Sequence, residues 1–212
     1  MDSQPSPPES PLCGPRERKK GLRGAVLEAR AALPSAQRHA RDQALVTEVL
    51  RLVDSRGPRA VAAYSPVQGE PGGGYLVRSL LSVVPEVWLP VSGADGRLRW
   101  ASCTSTGELR RGRFGIDEPT GPGTDSLPGD VELLLCPALA CSLDGVRLGR
   151  GAGYFDRTLA SVNRDRCGIV ALVYASELLP ELPAENHDEP VDGVLTQEGF
   201  HICLPDSGVP GT

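Results

Sequence analysis

The feature that most constrains this chain is a series of short, mainly apolar runs set between segments of helical spacing. Residues 60–64, 131–135, 168–174 and 191–196 are such runs. A strand that is apolar throughout, with no polar alternation, must be covered on both faces. Helical segments between the runs supply that cover. The pattern therefore predicts an α/β fold, a three-layer α/β/α sandwich around a mostly parallel central sheet. Ligands in such sheets bind beyond the carboxyl ends of the strands. That rule directs attention to the loops after Tyr64, Leu135 and Tyr174.

The remaining elements follow from spacing and punctuation. Leu22, Val26, Ala29 and Leu33 recur at helical intervals over residues 16–33, and Pro34 stops the run. Ser35 is a candidate N-cap for a second helix to about residue 53, with Ala40, Ala44, Leu45, Val49 and Leu52 on its apolar face. Residues 74–83 and 154–162 read as helices, 86–91 and 98–101 as strands joined through a turn at 94–96, and 200–204 as an edge strand. Residues 107–129, rich in Gly, Pro and charge, read as loop with one short element. Residues 1–15 and 205–212 read as a disordered arm and a flexible tail around one domain over 16–204.

Composition narrows the partners. The net charge of -5 and pI near 5.3 make duplex nucleic acid and anionic membranes poor partners for the surface as a whole. None of the six cysteines forms a CxxC pair or a zinc-type spacing. Cys136 and Cys167 lie in apolar runs and read as core residues. There is no signal-peptide pattern at the N-terminus and no run approaching ~20 apolar residues. The expectation is a cytoplasmic protein, monomeric or a homodimer.

The most informative stretch is Arg147-Leu-Gly-Arg-Gly-Ala-Gly-Tyr-Phe-Asp156. Its three alternating glycines let several backbone N–H groups approach one anion. The helix predicted directly after them adds unpaired donors. Arg147 and Arg150 add planar donors suited to phosphate or carboxylate. No Lys-Ser or Lys-Thr follows the glycines, so this is not the Walker pattern, and GxGxG is not the dinucleotide fingerprint. Asp156, just beyond the cradle, is a carboxylate of the kind that holds Mg²⁺.

These residues, with blocks in order over 19–196, resemble the 5-formyltetrahydrofolate cyclo-ligases, also called methenyltetrahydrofolate synthetases. The blocks are Lys19-Lys20-Gly21-Leu22-Arg23, Tyr64-Ser-Pro-Val-Gln-Gly-Glu70, Leu89-Pro90, Phe114-Gly-Ile-Asp-Glu-Pro119, Cys136-Pro137-Ala-Leu-Ala140, the 147–157 loop, His187-Asp188 and Val191-Asp192. The resemblance implies an ATP-dependent ring closure of a reduced folate, with ATP as cosubstrate and Mg²⁺ as cofactor. It places Lys19, Lys20, Arg23, Arg147, Gly149, Arg150, Gly151, Gly153 and Tyr154 at ATP. It places Ser65, Glu70, Arg150, Gly151, Ala152, Gly153 and Tyr154 at the folate, Asp156 and Asp188 at the metal, and Arg147, Arg150 and Tyr154 at the reaction. Arg110, Arg111 or Arg113 would suit the carboxylates of a folate tail.

Two positions depart from the pattern. Ser142 stands where the family commonly has Asp, and Phe155 where it has a second tyrosine. Ser142 is the feature that favours the competing reading, a weak or non-catalytic relative that only binds folate or nucleotide. The retained Lys19, Arg23, Glu70, Asp156 and Asp188 favour the active enzyme.

Overall fold

The computed structural model describes residues 14–67, 69–93, 97–112, 115–185 and 187–203. Along the chain run α1 (Pro15–Ala32), α2 (Ser35–Arg56), β1 (Val61–Ala62), α3 (Leu76–Leu80), β2 (Val87–Ser92) and β3 (Leu98–Cys103). There follow β4 (Leu109–Arg111), β5 (Asp117–Pro119), β6 (Leu133–Pro137), β7 (Ala140–Ser142) and β8 (Arg147–Leu148). The chain continues through α4 (Tyr154–Leu159), β9 (Gly168–Leu172), β10 (Leu178–Leu179), β11 (Gly193–Thr196) and β12 (Gly199–Ile202). The expected arm lies outside the described residues except for Gly14 and Pro15, and the tail at 205–212 and the turn at 94–96 lie outside them altogether.

The apolar runs form the parallel centre of a seven-stranded sheet of order β3-β2-β1-β6-β9-β11-β12, as the α/β reading expects. Val61 aligns with Val87 on one side and Leu133 on the other. Only the two edges, β3 and β12, run antiparallel to their neighbours. Successive residues point to opposite faces. Leu133, Leu135, Val170 and Leu172 pack with Leu45, Val49 and Leu52 of α2 and with Leu76 and Leu80 of α3. Leu134, Cys136, Ile169 and Ala171 pack on the other side with Leu159 of α4 and Trp100. Burial on both faces is why these strands show no polar alternation.

The strand order sets the place of the site. From β1 the chain first builds outward to β2 and β3, then returns to β6 on the opposite flank of β1. This reversal opens a crevice between the carboxyl ends of β1 and β6.

Helix ends follow local chemistry, with one correction. Gly57 ends α2 in a left-handed conformation, φ 57°, and its N–H donates to Val53 O at 2.9 Å. Ser35 is not the N-cap; it lies within α2, and Pro34 takes the capping position without a side-chain bond. The helix expected over 74–83 opens as a 3₁₀ turn at Gly73–Tyr75 and ends as α3 at Leu80. The 107–129 segment holds more order than expected, since β4 and β5 pair as a hairpin.

A small sheet of order β10-β7-β8 has strands of two or three residues, too short to leave a periodic signature. Leu22 and Val26 of α1 pack on its cluster of Leu139, Ala140, Leu148 and Leu182. The turn between β7 and β8 explains the Ser142 departure. Ser142 is fully buried, its Oγ donates to Asp144 Oδ1, and it accepts from Val146 N at 3.1 Å. Asp144 thus brings a carboxylate to the same turn.

One buried ion pair ties α1 to the sheet. Arg30, 3% exposed, donates Nε to Glu177 Oε1 at 2.7 Å and Nη2 to Glu177 Oε2 and Ala138 O, each at 2.8 Å. Glu177 Oε2 also accepts from Tyr174 N at 2.8 Å. No described helix is long and apolar enough to cross a membrane.

Two outcomes follow from these contacts. Glu177→Ala leaves Arg30 buried without its counter-charge, which is expected to cost about 3–5 kcal/mol, read as a lowered denaturant midpoint at unchanged slope. Ser142→Asp sets a second carboxylate against Asp144. It is expected to lower the thermal midpoint while the turnover of the folded protein is unchanged, because Ser142 borders neither cleft described below.

Candidate active site

The crevice at the strand reversal is a cavity of about 410 Å³, within the range of small-molecule sites. The loop after β1 contributes Ser65 and Glu70, and β2 contributes Pro90. The end of β6 contributes Pro137, Ala138 and Leu139, and the glycine loop closes the far side with Arg150 and Tyr154. Apolar walls with a few fixed polar groups suit a flat heterocycle. Glu70 is 8% exposed, and both carboxylate oxygens are engaged. Oε2 accepts from Val67 N at 3.0 Å and Oε1 from Arg150 Nε at 2.9 Å. The Arg150 side chain is 47% exposed, so it has room to change partner.

Between β8 and α4 the loop turns through glycines that side chains could not replace. Gly151 and Gly153 have φ of 99° and 70°, in the left-handed region. At Gly149 a Cβ would lie 2.9 Å from Arg147 Nη1, so a side chain there would push that guanidinium from its place. From beneath, Arg23 Nε donates to Gly149 O at 2.9 Å and braces the loop.

Behind the same loop lies a second, polar cleft of about 460 Å³. Arg147, Gly149, the 151–153 segment and Asp156 border both clefts. The second cleft adds Lys19, Arg23, Arg157, Glu185, His187 and Asp188. Lys19 is 3% exposed, and its Nζ donates to Glu185 Oε2 at 3.1 Å and to Asp188 Oδ2 at 2.5 Å. Hydrogen bonds from Arg16 and then Lys19 hold the Glu185 carboxyl below its ordinary value.

The structure brings most of the expected residues together and sorts them. Ser65, Glu70 and Tyr154 border the apolar cleft, Lys19, Arg23 and Asp188 the polar one, and Gly149, Gly151, Ala152, Gly153 and Asp156 both. Lys20 is exposed and borders neither. Arg147 differs from the expected free donor. It is 4% exposed, with Nη2 on Asp156 Oδ1 and Nη1 on Pro137 O at 3.2 Å, so it is pinned inside the partition. Arg110 donates to the carbonyls of Gly107 and Leu109, Arg111 lies 3.7 Å from Asp117, and neither borders a cleft. Arg113, Phe114 and Gln68 lie outside the described residues.

Sequence reasoning missed Glu185. It stands with His187 and Asp188, their ligand atoms within 4.8 Å of one another. The signal was the acidic run around Asp188, read only for that residue. It also missed Arg157, whose guanidinium lies 5.5 Å from the Tyr154 ring centre.

Comparisons with known proteins give the chain's family. The sequence model of the 5-formyltetrahydrofolate cyclo-ligase family matches residues 15–197. A Mycolicibacterium smegmatis protein named 5-formyltetrahydrofolate cyclo-ligase is 38% identical over 192 residues, spanning 88% of this chain and 97% of its own. A Haemophilus influenzae protein of the same name is 29% identical over 185 residues, spanning 84% and 97%. The solution structure of Aquifex aeolicus 5,10-methenyltetrahydrofolate synthetase matches with a TM-score of 0.75 at 28% identity, covering 91% of this chain and 99% of that one. The chain belongs to the 5-formyltetrahydrofolate cyclo-ligase family.

Proposed function

We propose that this chain closes 5-formyltetrahydrofolate to 5,10-methenyltetrahydrofolate at the expense of ATP, releasing ADP and phosphate. The observation that carries the proposal is the shared partition: one glycine loop borders both an apolar cleft fit for a pterin and a polar cleft fit for a triphosphate. A phosphoryl group can then cross from one ligand to the other without leaving the loop.

In the proposed reaction the formyl oxygen attacks the γ-phosphorus and the bond to ADP breaks. N10 adds to the activated carbon and loses its proton, and the carbon–oxygen bond breaks as phosphate leaves. This chemistry asks the protein for alignment and charge neutralisation. Glu70 and Ser65 would hold the folate, with Tyr154 at its plane. Lys19, Arg23 and the glycine-loop amides would hold ATP. Arg150 would meet the transferring group, and Arg147 would fix the partition between them. Lys20, outside both clefts, is left out of this set.

A divalent ion fits the polar cleft. Its described border carries four cationic side chains (Lys19, Arg23, Arg147, Arg157) and four anionic ones (Asp156, Glu185, Asp188, Glu189). A triphosphate entering such a balanced surface needs further positive charge, and carboxylate oxygens are the donors Mg²⁺ prefers. Asp156 and Asp188 would hold the ion, with Glu185 beside them, and it would neutralise phosphate oxygens. A cytoplasmic setting and one catalytic domain over 16–204 belong to the same proposal. The five described cysteines are all buried as free thiols, as a reducing compartment favours.

The binding-only alternative loses its support, because Ser142, at the end of β7, lines neither cleft. Incubation with 5-formyltetrahydrofolate and Mg-ATP is expected to generate the absorbing methenyl product, and chelation of the divalent ion to stop it. Binding of both substrates without product would contradict the reading. Asp156→Asn is expected to lower kcat by ~10²–10³-fold with an unchanged circular dichroism spectrum. An unaltered kcat would remove Asp156 from the site.

A further inference from the structure

The segment that presents Glu70 is held within itself only by short local turns, such as Glu70 N–H to Val67 O at 2.9 Å and Gly73 N–H to Glu70 O at 3.3 Å. It reads Gly69-Glu70-Pro71-Gly72-Gly73-Gly74, and Gly69, Gly72 and Gly73 have φ of 83°, 88° and 45°. Backbone of this kind loses more freedom on ordering than any other. The Glu70 side chain is nevertheless buried, bonded to the Val67 N–H and to Arg150.

Two side chains from outside the segment supply the constraint. Tyr64 OH donates to Pro71 O at 2.6 Å. From α2, Asp42 Oδ1 accepts the Gly72 N–H at 3.0 Å. Asp42 is 5% exposed, and the same oxygen accepts Tyr174 OH at 2.7 Å. Its Oδ2 lies where a Cβ on Gly73 would be 2.7 Å away, so the carboxylate presses against backbone that must be glycine. Tyr174 follows β9, and its ring lies 5.7 Å from the guanidinium of Arg30. The anchor therefore reaches from α2 to the sheet. Burial raises the Asp42 carboxyl above its ordinary value, and the bonds from Tyr174 and Gly72 only partly offset that. A carboxylate so desolvated is an expensive way to add stability.

We propose that Asp42 is a positioning residue for the folate cleft, holding Glu70 in register through the Gly72 amide. The inference rests on the reading that Glu70 contacts the folate. Neither Asp42 nor its partner Tyr174 borders a cleft, so Asp42 reaches a cleft only through the segment it holds. That segment contributes Glu70 to the apolar cleft and nothing to the polar one. Loss of the anchor must therefore separate the two substrates kinetically, whereas a purely structural role would affect both alike.

The test is steady-state kinetics of the full chain, with each substrate varied in turn. Asp42→Ala is expected to raise KM for 5-formyltetrahydrofolate on the order of tenfold, with KM for ATP within about twofold of wild type. Asp42→Asn keeps an acceptor oxygen and is expected to restore the folate KM. Should Asp42→Ala not fold, the double variant Asp42→Leu, Tyr174→Phe replaces both polar partners with apolar groups of similar shape and must show the same split. An unchanged folate KM, a parallel rise in both KM values, or no rescue by Asn overturns the proposal. Glu70→Ala separates it from the reading beneath it. No change of folate KM in that variant removes Glu70 from the folate site and the anchor with it. A raised folate KM there, with none in Asp42→Ala, removes the anchor alone.

Discussion

The site depends on one constraint, a backbone that must pass between two clefts without side chains in the way. Gly151 and Gly153 are held in left-handed conformations, and a Cβ on Gly149 would displace the Arg147 guanidinium. What fixes this otherwise permissive loop comes from elsewhere in the chain. Arg23 of α1 bonds the Gly149 carbonyl, and Arg147 is clamped between Asp156 and the Pro137 carbonyl. The loop's rigidity is therefore borrowed from α1, from the end of β6 and from the start of α4.

The same logic recurs across the apolar cleft. There the Glu70 segment is glycine-rich and is fixed by Tyr64 and Asp42. Both walls of the apolar cleft thus consist of close-approaching backbone braced by buried polar side chains. Between them, Arg150 and Glu70 pair across the cleft. Each is at once a proposed ligand contact and the other's counter-charge, so in the proposed reaction binding would exchange one ion pair for contacts with substrate. The 47% exposure of Arg150 against the near-complete burial of Arg147 divides the two arginines into a movable arm and a fixed strut.

Much of this was legible in the residues, for identifiable reasons. The central strands are apolar on both faces, so their runs stand out, and their C-terminal loops pointed to the crevice. The glycine loop was legible because alternating glycines beside arginines have few other uses. Burial was not legible. An arginine that grips a ligand and one locked inside a partition have the same letter, which is why Arg147 was read as a free donor. The small sheet was invisible because strands of two or three residues have no period. Asp42 was hidden for a different reason: its partner is a backbone amide thirty residues away, and no spacing rule connects them.

A structure with 5-formyltetrahydrofolate and a non-hydrolysable ATP analogue tests the central claim most directly. The account predicts the terminal phosphate against the backbone of Gly149, Gly151 and Gly153, facing a pterin that rests on Glu70. A triphosphate seated away from that loop, or a folate outside the crevice between β1 and β6, would contradict it.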